Sequence, residues 1–433
     1  MLLSAPTWRS RDWLGVELAE ADSSKLMKAA GRLLTSTAVR DRAHRVLNMG
    51  ILGQLEHFAV DLLRLDAVID YVVRVTRSSY PDLSIPPHAR WRHFETGEID
   101  RWGMLASSRD WTTAMHLGRA AVDLAFISVL LDGIAAPGWA YAEAATGETF
   151  ARSEGLAIAS LVMFAGGAFS ADPYDPFRVD ARALAGLTIE ELADGLQVSR
   201  SNALNGLEHR LAIINRLGQY MAFEPDLFTV DESLRPGGLL NYLNRAGSNG
   251  IVSAPLLLQL MLKPIHAVAS GRFALGGKPL GDTWPHSRLA IGDGTDGLMP
   301  FHQTGQWLTY SLVEPLVWSG FEIVDLNGLT ALPDAWTGGL LMDMGLMKLR
   351  KPALSTEAHQ MESELVVEFR SLTIALIDKI ADGVRKRLGR SDEQLPLACV
   401  LEGGTATAGR RLAREKRPDG SPALIILSDS QTL

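Results

Sequence analysis

The chain has 433 residues, of which 47% are hydrophobic, so it can bury a large core as one domain or as two closely packed ones. Its net charge of −8 arises from acidic and basic residues that are interspersed along the chain, which gives no electrostatic footprint for DNA or RNA. The single cysteine, Cys399, lies in an apolar run, which excludes a disulfide framework and a cysteine-based metal cluster. We therefore expect a globular protein whose partner is a small molecule and not a nucleic acid.

The first twenty residues carry scattered arginines and acids without a continuous apolar stretch, so they indicate neither export nor import into an organelle. The most hydrophobic window, residues 120–136, contains Asp123 and Asp132 and is too short to cross a bilayer. It predicts a buried helix. The expected location is cytoplasmic, with no membrane partner, and the sequence leaves the oligomeric state open.

Apolar residues recur at spacings of three and four along most of the chain, which predicts a mainly helical fold. The longest such segment follows Ser355, Thr356 and Glu357, a predicted N-cap, and ends at Gly389. Shorter helical patterns cover residues 38–47, 62–77, 112–131, 154–164, 201–217 and 302–318.

Short apolar runs typical of strands are also present, but they do not alternate regularly with helices as a doubly wound fold requires. The expected fold class is therefore α+β, predominantly α-helical, with a small β-sheet. The predicted strands are residues 57–61, 90–94, 339–349, 397–401 and 423–427.

We expect one compact domain that spans residues 1–433. A glycine-rich and proline-rich stretch at residues 276–294 is a candidate junction within it. This junction would separate a helical N-terminal part, residues 33–275, from a C-terminal part, residues 295–433. Ligand sites often lie at such junctions.

Residues 292–302 place two carboxylates and three glycines on a loop that leads into a predicted helix, with Pro300 at its first position. An acidic loop at the mouth of a polar helical face suits a small polar ligand, and Asp296 is the first candidate for a catalytic carboxylate. The alternative is an ordinary turn in which Asp293 or Asp296 caps the helix.

The predicted helix after this loop carries polar side chains at intervals of four, so they lie along one face. These residues are His302, Gln306, Tyr310 and Glu314.

Residues 90–95, if extended, would direct Arg90 and Arg92 to one side and Trp91 and His93 to the other. Two guanidinium groups can hold a phosphate or a carboxylate, and a tryptophan supplies a planar apolar wall. Surface salt bridges and core packing explain the same residues about equally well.

Two later segments are candidates for binding an anion. Residues 152–155 open a predicted helix whose free N–H groups could hold one, although Ser153 could instead be its N-cap.

In the second segment the predicted strand 397–401 leads into two glycines and then a helix. Glu402 is a candidate for binding ribose hydroxyls, and Thr405 and Arg410 are candidates for holding a phosphate at the helix start. An ordinary turn is the alternative.

The ten histidines are dispersed, and no zinc, nucleophile-elbow, phosphate-loop or dinucleotide motif occurs in the sequence. We therefore expect neither a metal nor a cofactor. Glu364, Glu368 and Arg370 share the long predicted helix, where their spacing predicts an internal ion pair.

At these same residues the sequence resembles the Urc/Urg family of uracil-catabolism proteins of fungi and bacteria, from Leu33 to the end. The resemblance implies a role in a route that converts uracil through UMP and a ribosylurea-type intermediate to urea, with this family at urea release. The ordered matches are Arg90-Trp91-Arg92-His93-Phe94, Arg152-Ser153-Glu154-Gly155-Leu156, Phe169-Ser170-Ala171-Asp172-Pro173, Thr295-Asp296-Gly297-Leu298-Met299-Pro300-Phe301-His302, Gly338-Gly339-Leu340, Ser363-Glu364-Leu365-Val366-Val367-Glu368 and Leu401-Glu402-Gly403-Gly404-Thr405.

Asp296 to Pro300 is also similar to the Asp-Tyr-Arg-Val-Pro motif of the queuosine-5′-phosphate N-glycosidases, which are helix-rich and resemble DNA glycosylases. This similarity implies that Asp296 is the catalytic carboxylate of a glycosidase-like fold. Gln303, Thr337 and Ala406 depart from the family pattern of Lys, Arg and Trp, which implies altered affinity or a different substrate if they touch it.

Cleavage of an N-glycosidic bond builds positive charge on the ribose, which a nearby carboxylate stabilises. We assign that role to Asp296, and the role of general acid for the leaving urea to His302 or His93. The substrate would be ribosylurea or its 5′-phosphate, with Arg90, Arg92 or Arg410 on the phosphate and Glu402 on the ribose. The alternatives are a regulatory protein that binds a nucleotide or ribosylurea without chemistry and, less favoured, a hydrolase that opens the pyrimidine ring.

Overall fold

Helices dominate the structure, a computed structural model that describes residues 20–133, 138–247, 249–269 and 273–427. It is 56% helical, so the predicted helix-rich α+β class is confirmed. The helices are α1 (Glu20–Leu33), α2 (Ser36–Ile51), α3 (Leu65–Ser79), α4 (Trp91–Phe94), α5 (Arg101–Ser107), α6 (Ala114–Leu131), α7 (Arg152–Ala165), α8 (Ala181–Gly186), α9 (Ile189–Gly195), α10 (Leu207–Tyr220), α11 (Pro225–Phe228), α12 (Gly238–Arg245), α13 (Ala254–Val268), α14 (Gln303–Trp318), α15 (Ala335–Asp343), α16 (Glu364–Leu388), α17 (Leu397–Val400) and α18 (Ala406–Lys416).

The strands in the described residues form separate pairs, where the sequence predicts one small sheet. Each strand is two or three residues long and pairs with one partner, antiparallel except for β6 with β11 and β13 with β14. The strands are β1 (Phe58–Val60), β2 (Ala140–Ala142), β3 (Thr149–Ala151), β4 (Thr229–Val230), β5 (Ser233–Leu234), β6 (Ile251–Ser253), β7 (Ala274–Leu275), β8 (Lys278–Pro279), β9 (Thr283–Pro285), β10 (Leu298–Pro300), β11 (Glu322–Val324), β12 (Met347–Leu349), β13 (Ala358–Gln360) and β14 (Ile425–Leu427).

Three of the predicted strands are wrong in whole or in part. Residues 90–94 form α4, because Trp91 and Phe94 are both buried and a helix brings residues three apart to one side. Residues 397–401 are helical, since a run that is apolar on every side fits a buried helix as well as a buried strand. In residues 339–349 the first five belong to α15 and the last three form β12.

The starts of two helices also differ from the prediction. Pro300 lies in β10, and α14 begins at Gln303 because His302 adopts a left-handed conformation (φ 50°) that interrupts helical geometry. The long helix α16 begins at Glu364, where the Ser363 hydroxyl accepts a hydrogen bond from the third helical N–H. It ends at Gly389 (φ 63°), as predicted.

The predicted buried helix at residues 120–136 is confirmed over residues 120–131 as part of α6, which packs against α7 and α14, while residues 134–136 lie outside the described residues. It is long and apolar enough to cross a membrane by composition, but 72% of its apolar window is buried inside the protein. The long helix α16 packs against α2 and α3. One hydrophobic cluster extends from Val39 to Leu424 and includes residues on both sides of the predicted junction; the division into parts stays a prediction.

Candidate active site

One face of α14 supports the segment that precedes and forms α4. Trp307, Ser311 and Glu314 are four and three residues apart and therefore share this face. The Ser311 hydroxyl accepts a hydrogen bond from the Arg90 backbone N–H (3.0 Å), and its carbonyl accepts one from the Trp91 indole N–H (2.8 Å). These bonds hold the Arg90-to-Phe94 segment across the helix.

The Arg90 side chain is fully buried and lies at the centre of a hydrogen-bonded group. Its Nη1 donates to Asp132 at 2.9 Å, to the Ser153 hydroxyl at 2.8 Å and to His93 Nδ1 at 3.0 Å, and its Nε donates to Ser128 at 2.7 Å. Burial lowers the pKa of Arg90, while the charge of Asp132 opposes that change. A buried guanidinium needs such partners, and Arg90 thereby joins α4 to the ends of α6 and α7.

Arg90 also influences the tautomer and the protonation state of His93. Because Nδ1 of the partly exposed His93 accepts from a guanidinium, its proton is assigned to Nε2. Burial and then the positive charge of Arg90 hold the pKa of His93 well below its usual range. His93 is therefore neutral at pH 7.

Glu402 lies beside His88 and Tyr80. Its carboxylate is 2.7 Å from His88 Nδ1 and accepts a hydrogen bond from the Tyr80 hydroxyl at 3.3 Å. Burial by itself would raise the pKa of Glu402, but the hydrogen bond with His88 and the charge of Arg92 outweigh burial and lower it. Burial, followed by the nearby Glu402, raises the pKa of Tyr80 to about 12. Glu402 is thus a carboxylate at neutral pH.

Glu314 shows the opposite shift. Burial raises its pKa to about 7, although Arg92 donates to its Oε1 at 2.6 Å and opposes the rise. Repulsion from Glu95 and, to a smaller extent, from Glu402 adds to the increase. The side chains of Glu314 and Glu402 are 18% and 16% exposed, so neither is fully enclosed by the protein.

We call these residues the polar cluster; three of the segments that carry the family resemblance meet in it. Arg90 bonds to Ser153, His88 bonds to Glu402, and Trp307 lies 4.9 Å from the His88 ring and 5.7 Å from the His93 ring, measured between ring centroids. The cluster comprises Tyr80, His88, Arg90, Arg92, His93, Asp132, Ser153, Trp307, Glu314 and Glu402.

Arg410 lies close enough to the polar cluster for its charge to lower the pKa of His93. It is half-buried and makes no ion pair with the residues that the structure describes. The adjacent Gly409 packs on the Trp336 backbone, and the Arg152 guanidinium lies 5.0 Å above the Trp336 ring. Trp336 thus lies between the α18 backbone beside Arg410 and the Arg152 side chain.

The predicted strand-glycine-helix arrangement at Glu402 is wrong. The chain continues from α17 through a π-helical turn, Leu401–Thr405, directly into α18. A Cβ on Gly404 would lie 2.5 Å from the Thr76 hydroxyl, so this glycine permits close packing on α3. Thr405 is fully buried, and its hydroxyl donates to the Leu401 carbonyl at 3.3 Å.

Ser153 is likewise not an N-cap. It lies within α7, where its hydroxyl donates to Asp132 at 2.8 Å, while Ala151 occupies the cap position without a side-chain bond. Asp132, at the C-terminal end of α6, is therefore the group that faces the first turn of α7.

Asp296 lies in a different region. Its exposed carboxylate accepts hydrogen bonds from the backbone N–H groups of Ile291 (2.5 Å) and Gly292 (2.7 Å), and these bonds lower its pKa. It closes its own loop and does not cap α14, which starts seven residues later.

His302 and Gln306 are buried in the core. His302 Nε2 lies 2.9 Å from the Leu33 carbonyl, and burial lowers the pKa of His302. Gln306 bonds to Thr330 and to the Phe301 carbonyl. No hydrogen bond or ring contact within the described ranges connects Asp296, His302 or Gln306 with the polar cluster.

Sequence reasoning missed several members of the polar cluster. His88, Tyr80 and Trp307 carry no local motif. Asp132 had a usable signal, because an acid at the end of a very apolar window needs a buried partner.

A second group of possible ligands consists of His286, Glu364 and Glu368, whose ligand atoms lie within 4.8 Å of one another. The predicted ion pair within α16 is wrong, since Arg370 pairs with Asp282 at 2.6 Å. Both Glu368 oxygens already accept backbone N–H groups of residues 56–58, at 3.0 to 3.1 Å. This use of the carboxylate favours a structural role.

A groove of about 610 Å³ is lined by residues 171–174, 178, 180–182 and 232–234. It includes no member of the polar cluster. Its Arg178 is engaged with Asp180 at 2.6 Å.

Comparisons with known proteins match this chain over nearly its whole length. A family model described as "Protein of unknown function (DUF1688)" matches residues 32–433. The chain belongs to this family. It is 35% identical over 410 residues to "Protein urg3" of Schizosaccharomyces pombe, covering 92% of this chain and 98% of that protein. It is 34% identical over 411 residues to "Uracil catabolism protein 4" of Lachancea kluyveri, covering 87% and 92%. The predicted Urc/Urg resemblance is confirmed, and the matches cover nearly the whole length of both relatives.

Proposed function

We propose that this protein acts in uracil catabolism as an N-glycosidase-type hydrolase that releases urea from ribosylurea or its 5′-phosphate. The pathway is supported by the name of the Lachancea kluyveri relative. The reaction is supported by one observation above all, the presence of Glu314 and Glu402 with opposite pKa shifts in one cluster. Glycosidases use such a pair of carboxyl groups, one protonated and one ionised.

The two carboxyl groups divide the reaction between them. As the bond between ribose C1′ and the urea nitrogen breaks, the leaving urea takes a proton from Glu314, and positive charge grows on the ribose. Glu402, held ionised by His88 and Tyr80, stabilises that charge and accepts the proton of the attacking water. Hydroxide from water bonds to C1′, and a proton returns to Glu314, so one water is consumed for each urea released.

Arginines at the edge of the cluster serve the 5′-phosphate in this proposal. Arg410 makes no ion pair with the described residues, whereas Arg90 is fully buried and bonded through Nη1 and Nε to Asp132, Ser153, His93 and Ser128, with only its buried Nη2 left without a partner among them. We therefore assign the phosphate to Arg410 and regard Arg90 as a positioning residue. Arg92 stays with Glu314, whose carboxyl it orients.

Asp296, with His302 as its acid, stays the alternative assignment for the catalytic carboxylate, supported by similarity to the queuosine-5′-phosphate N-glycosidases. The two backbone hydrogen bonds to the Asp296 carboxylate support a role in closing its own loop better than a catalytic role. His302 would have to leave the core before it could donate a proton to a substrate.

The direct test is incubation of purified protein with ribosylurea 5′-phosphate and with ribosylurea, with free urea as the readout. We expect enzyme-dependent urea release, and its loss in Glu314→Gln and Glu402→Gln. The exposed Glu357→Gln variant is the matched control and should retain full activity. Tight binding of either compound without urea release would contradict the hydrolase and favour the regulatory alternative.

A further inference from the structure

The Arg92–Glu314 ion pair leaves two polar atoms unused. Arg92 donates through Nη2 to Glu314 at 2.6 Å and approaches Glu95 at 3.1 Å through Nη1. Its buried Nε–H and the buried Oε2 of Glu314 have no hydrogen-bond partner among the described residues. Buried polar atoms in native proteins are rarely left without partners, so one unused donor and one unused acceptor on the two members of an ion pair indicate a place for a polar ligand group.

A planar apolar surface lies on the same face of α14. Trp307 precedes Glu314 by seven residues, which is two helical turns. The rings of His88 and His93 meet the indole at 40° and 51°, so neither stacks flat on it. The indole keeps 9% of its surface exposed.

We propose that Trp307 and the Arg92–Glu314 pair form the subsite for a planar, uncharged, amide-type leaving group, which is the ureido group of the substrate proposed above. This inference rests on the proposed function for the identity of that group. A ureido group is flat because its nitrogens are conjugated with its carbonyl, so it can lie against an indole. Its carbonyl oxygen complements the Arg92 Nε–H, and its leaving nitrogen complements Glu314 Oε2, the oxygen that carries the proton given to the leaving group. Trp307 is accordingly a specificity-determining residue.

If the subsite is correct, contact with Trp307 lowers the Kd only of ligands that carry the leaving group. Ribosylurea 5′-phosphate carries it, whereas ribose 5-phosphate, the product, does not. Calorimetric titration with these two compounds at a pH where turnover is suppressed, or on the Glu402→Gln protein, measures this difference directly.

Trp307→Leu should raise the Kd of ribosylurea 5′-phosphate about tenfold and leave that of ribose 5-phosphate unchanged within about twofold. Trp307→Phe, which keeps a flat ring, should lie between the wild type and Trp307→Leu. Trp111→Leu is the matched control, because Trp111 also has a histidine neighbour, His116 at 5.3 Å, but lies outside the cluster. It should change neither Kd.

Equal loss of affinity for both ligands in Trp307→Phe, with an unchanged melting temperature, would overturn the subsite, as would unchanged affinity for both. Absence of any wild-type binding of ribosylurea 5′-phosphate would overturn it too. The outcome for the proposed function is separate. Selective binding that depends on Trp307, without urea release by the wild type, would support the subsite and contradict the hydrolase.

Discussion

The polar cluster and the Asp296 loop both concentrate charge, but they use their carboxylates differently. In the loop, Asp296 is engaged by two backbone N–H groups, and Asp293 is engaged by Thr295 and Arg32. In the polar cluster the pairing is incomplete, since Arg92 and Glu314 each leave an atom without a partner. A carboxylate that accepts backbone N–H groups of its own loop, as Asp296 does through Oδ1, shapes that loop, whereas buried polar atoms without partners where distant segments meet indicate a ligand site.

The two regions also differ in the origin of their contacts. The bonds to Asp296 come from residues four and five positions away, while Glu402 and His88 are 314 positions apart. A site built from distant segments depends on the whole fold, which agrees with a family resemblance that extends over residues 32–433.

The largest effect expected is loss of turnover in Glu402→Gln. This change keeps the shape of the side chain and deletes the charge that stabilises the ribose in the transition state, so kcat should fall by at least about a hundredfold. Urea release under saturating ribosylurea 5′-phosphate measures it. Retention of wild-type kcat in a protein with an unchanged melting temperature would remove Glu402 from the mechanism.

A smaller loss is expected when Arg410 loses its charge. Arg410→Gln should lower kcat/KM for the phosphorylated substrate by about tenfold to a hundredfold, since one charge-assisted bond contributes about 1.5 to 3 kcal/mol. It should leave unphosphorylated ribosylurea nearly unaffected. The exposed Arg411→Gln variant, one residue further along α18, serves as the control. An equal decrease for both substrates would make Arg410 structural.

The pH profile should follow Glu314. Its proton is present below a pKa of about 7 and is lost as the pH rises through that value, so kcat/KM should fall about tenfold per pH unit on the alkaline side. Glu314→Gln should be slow at every pH and lack this alkaline limb. A wild-type profile that stays flat from pH 6 to 9 would contradict the general-acid role.

No change is expected on removal of metal ions, because both roles in the mechanism belong to carboxyl groups. Activity should survive exhaustive treatment with EDTA. Loss of activity, followed by recovery with a divalent ion, would contradict this prediction and would favour a metal site formed by His286, Glu364 and Glu368.

Local sequence patterns predicted the parts of this fold that depend on local periodicity. One or two helical turns of sequence are enough to recognise the apolar spacing of α6 and α14 and the glycine at the end of α16. The structure confirms these features. The four residues of α4 contain too little periodicity to separate helix from strand, and packing of Trp91 and Phe94 decides their conformation.

For the site, sequence reasoning selected Arg90, Arg92, His93 and Glu402, which the structure brings into one cluster. It could not identify the contact of Glu314 with Arg92, because residues 222 positions apart become neighbours only through tertiary packing. The sequence made Asp296 the first catalytic candidate because glycines and acids occur in turns as readily as in ligand sites, and the local pattern does not separate the two.

The most direct test of the account compares Glu314→Gln with Asp296→Asn on ribosylurea 5′-phosphate, with kcat for urea release and melting temperature measured for both. Catalysis in the polar cluster predicts that Glu314→Gln loses about a hundredfold or more in kcat, while Asp296→Asn stays within about threefold of the wild type. The assignment from sequence alone predicts about a hundredfold loss in Asp296→Asn. That loss, together with near-normal turnover in a folded Glu314→Gln protein, would contradict the account.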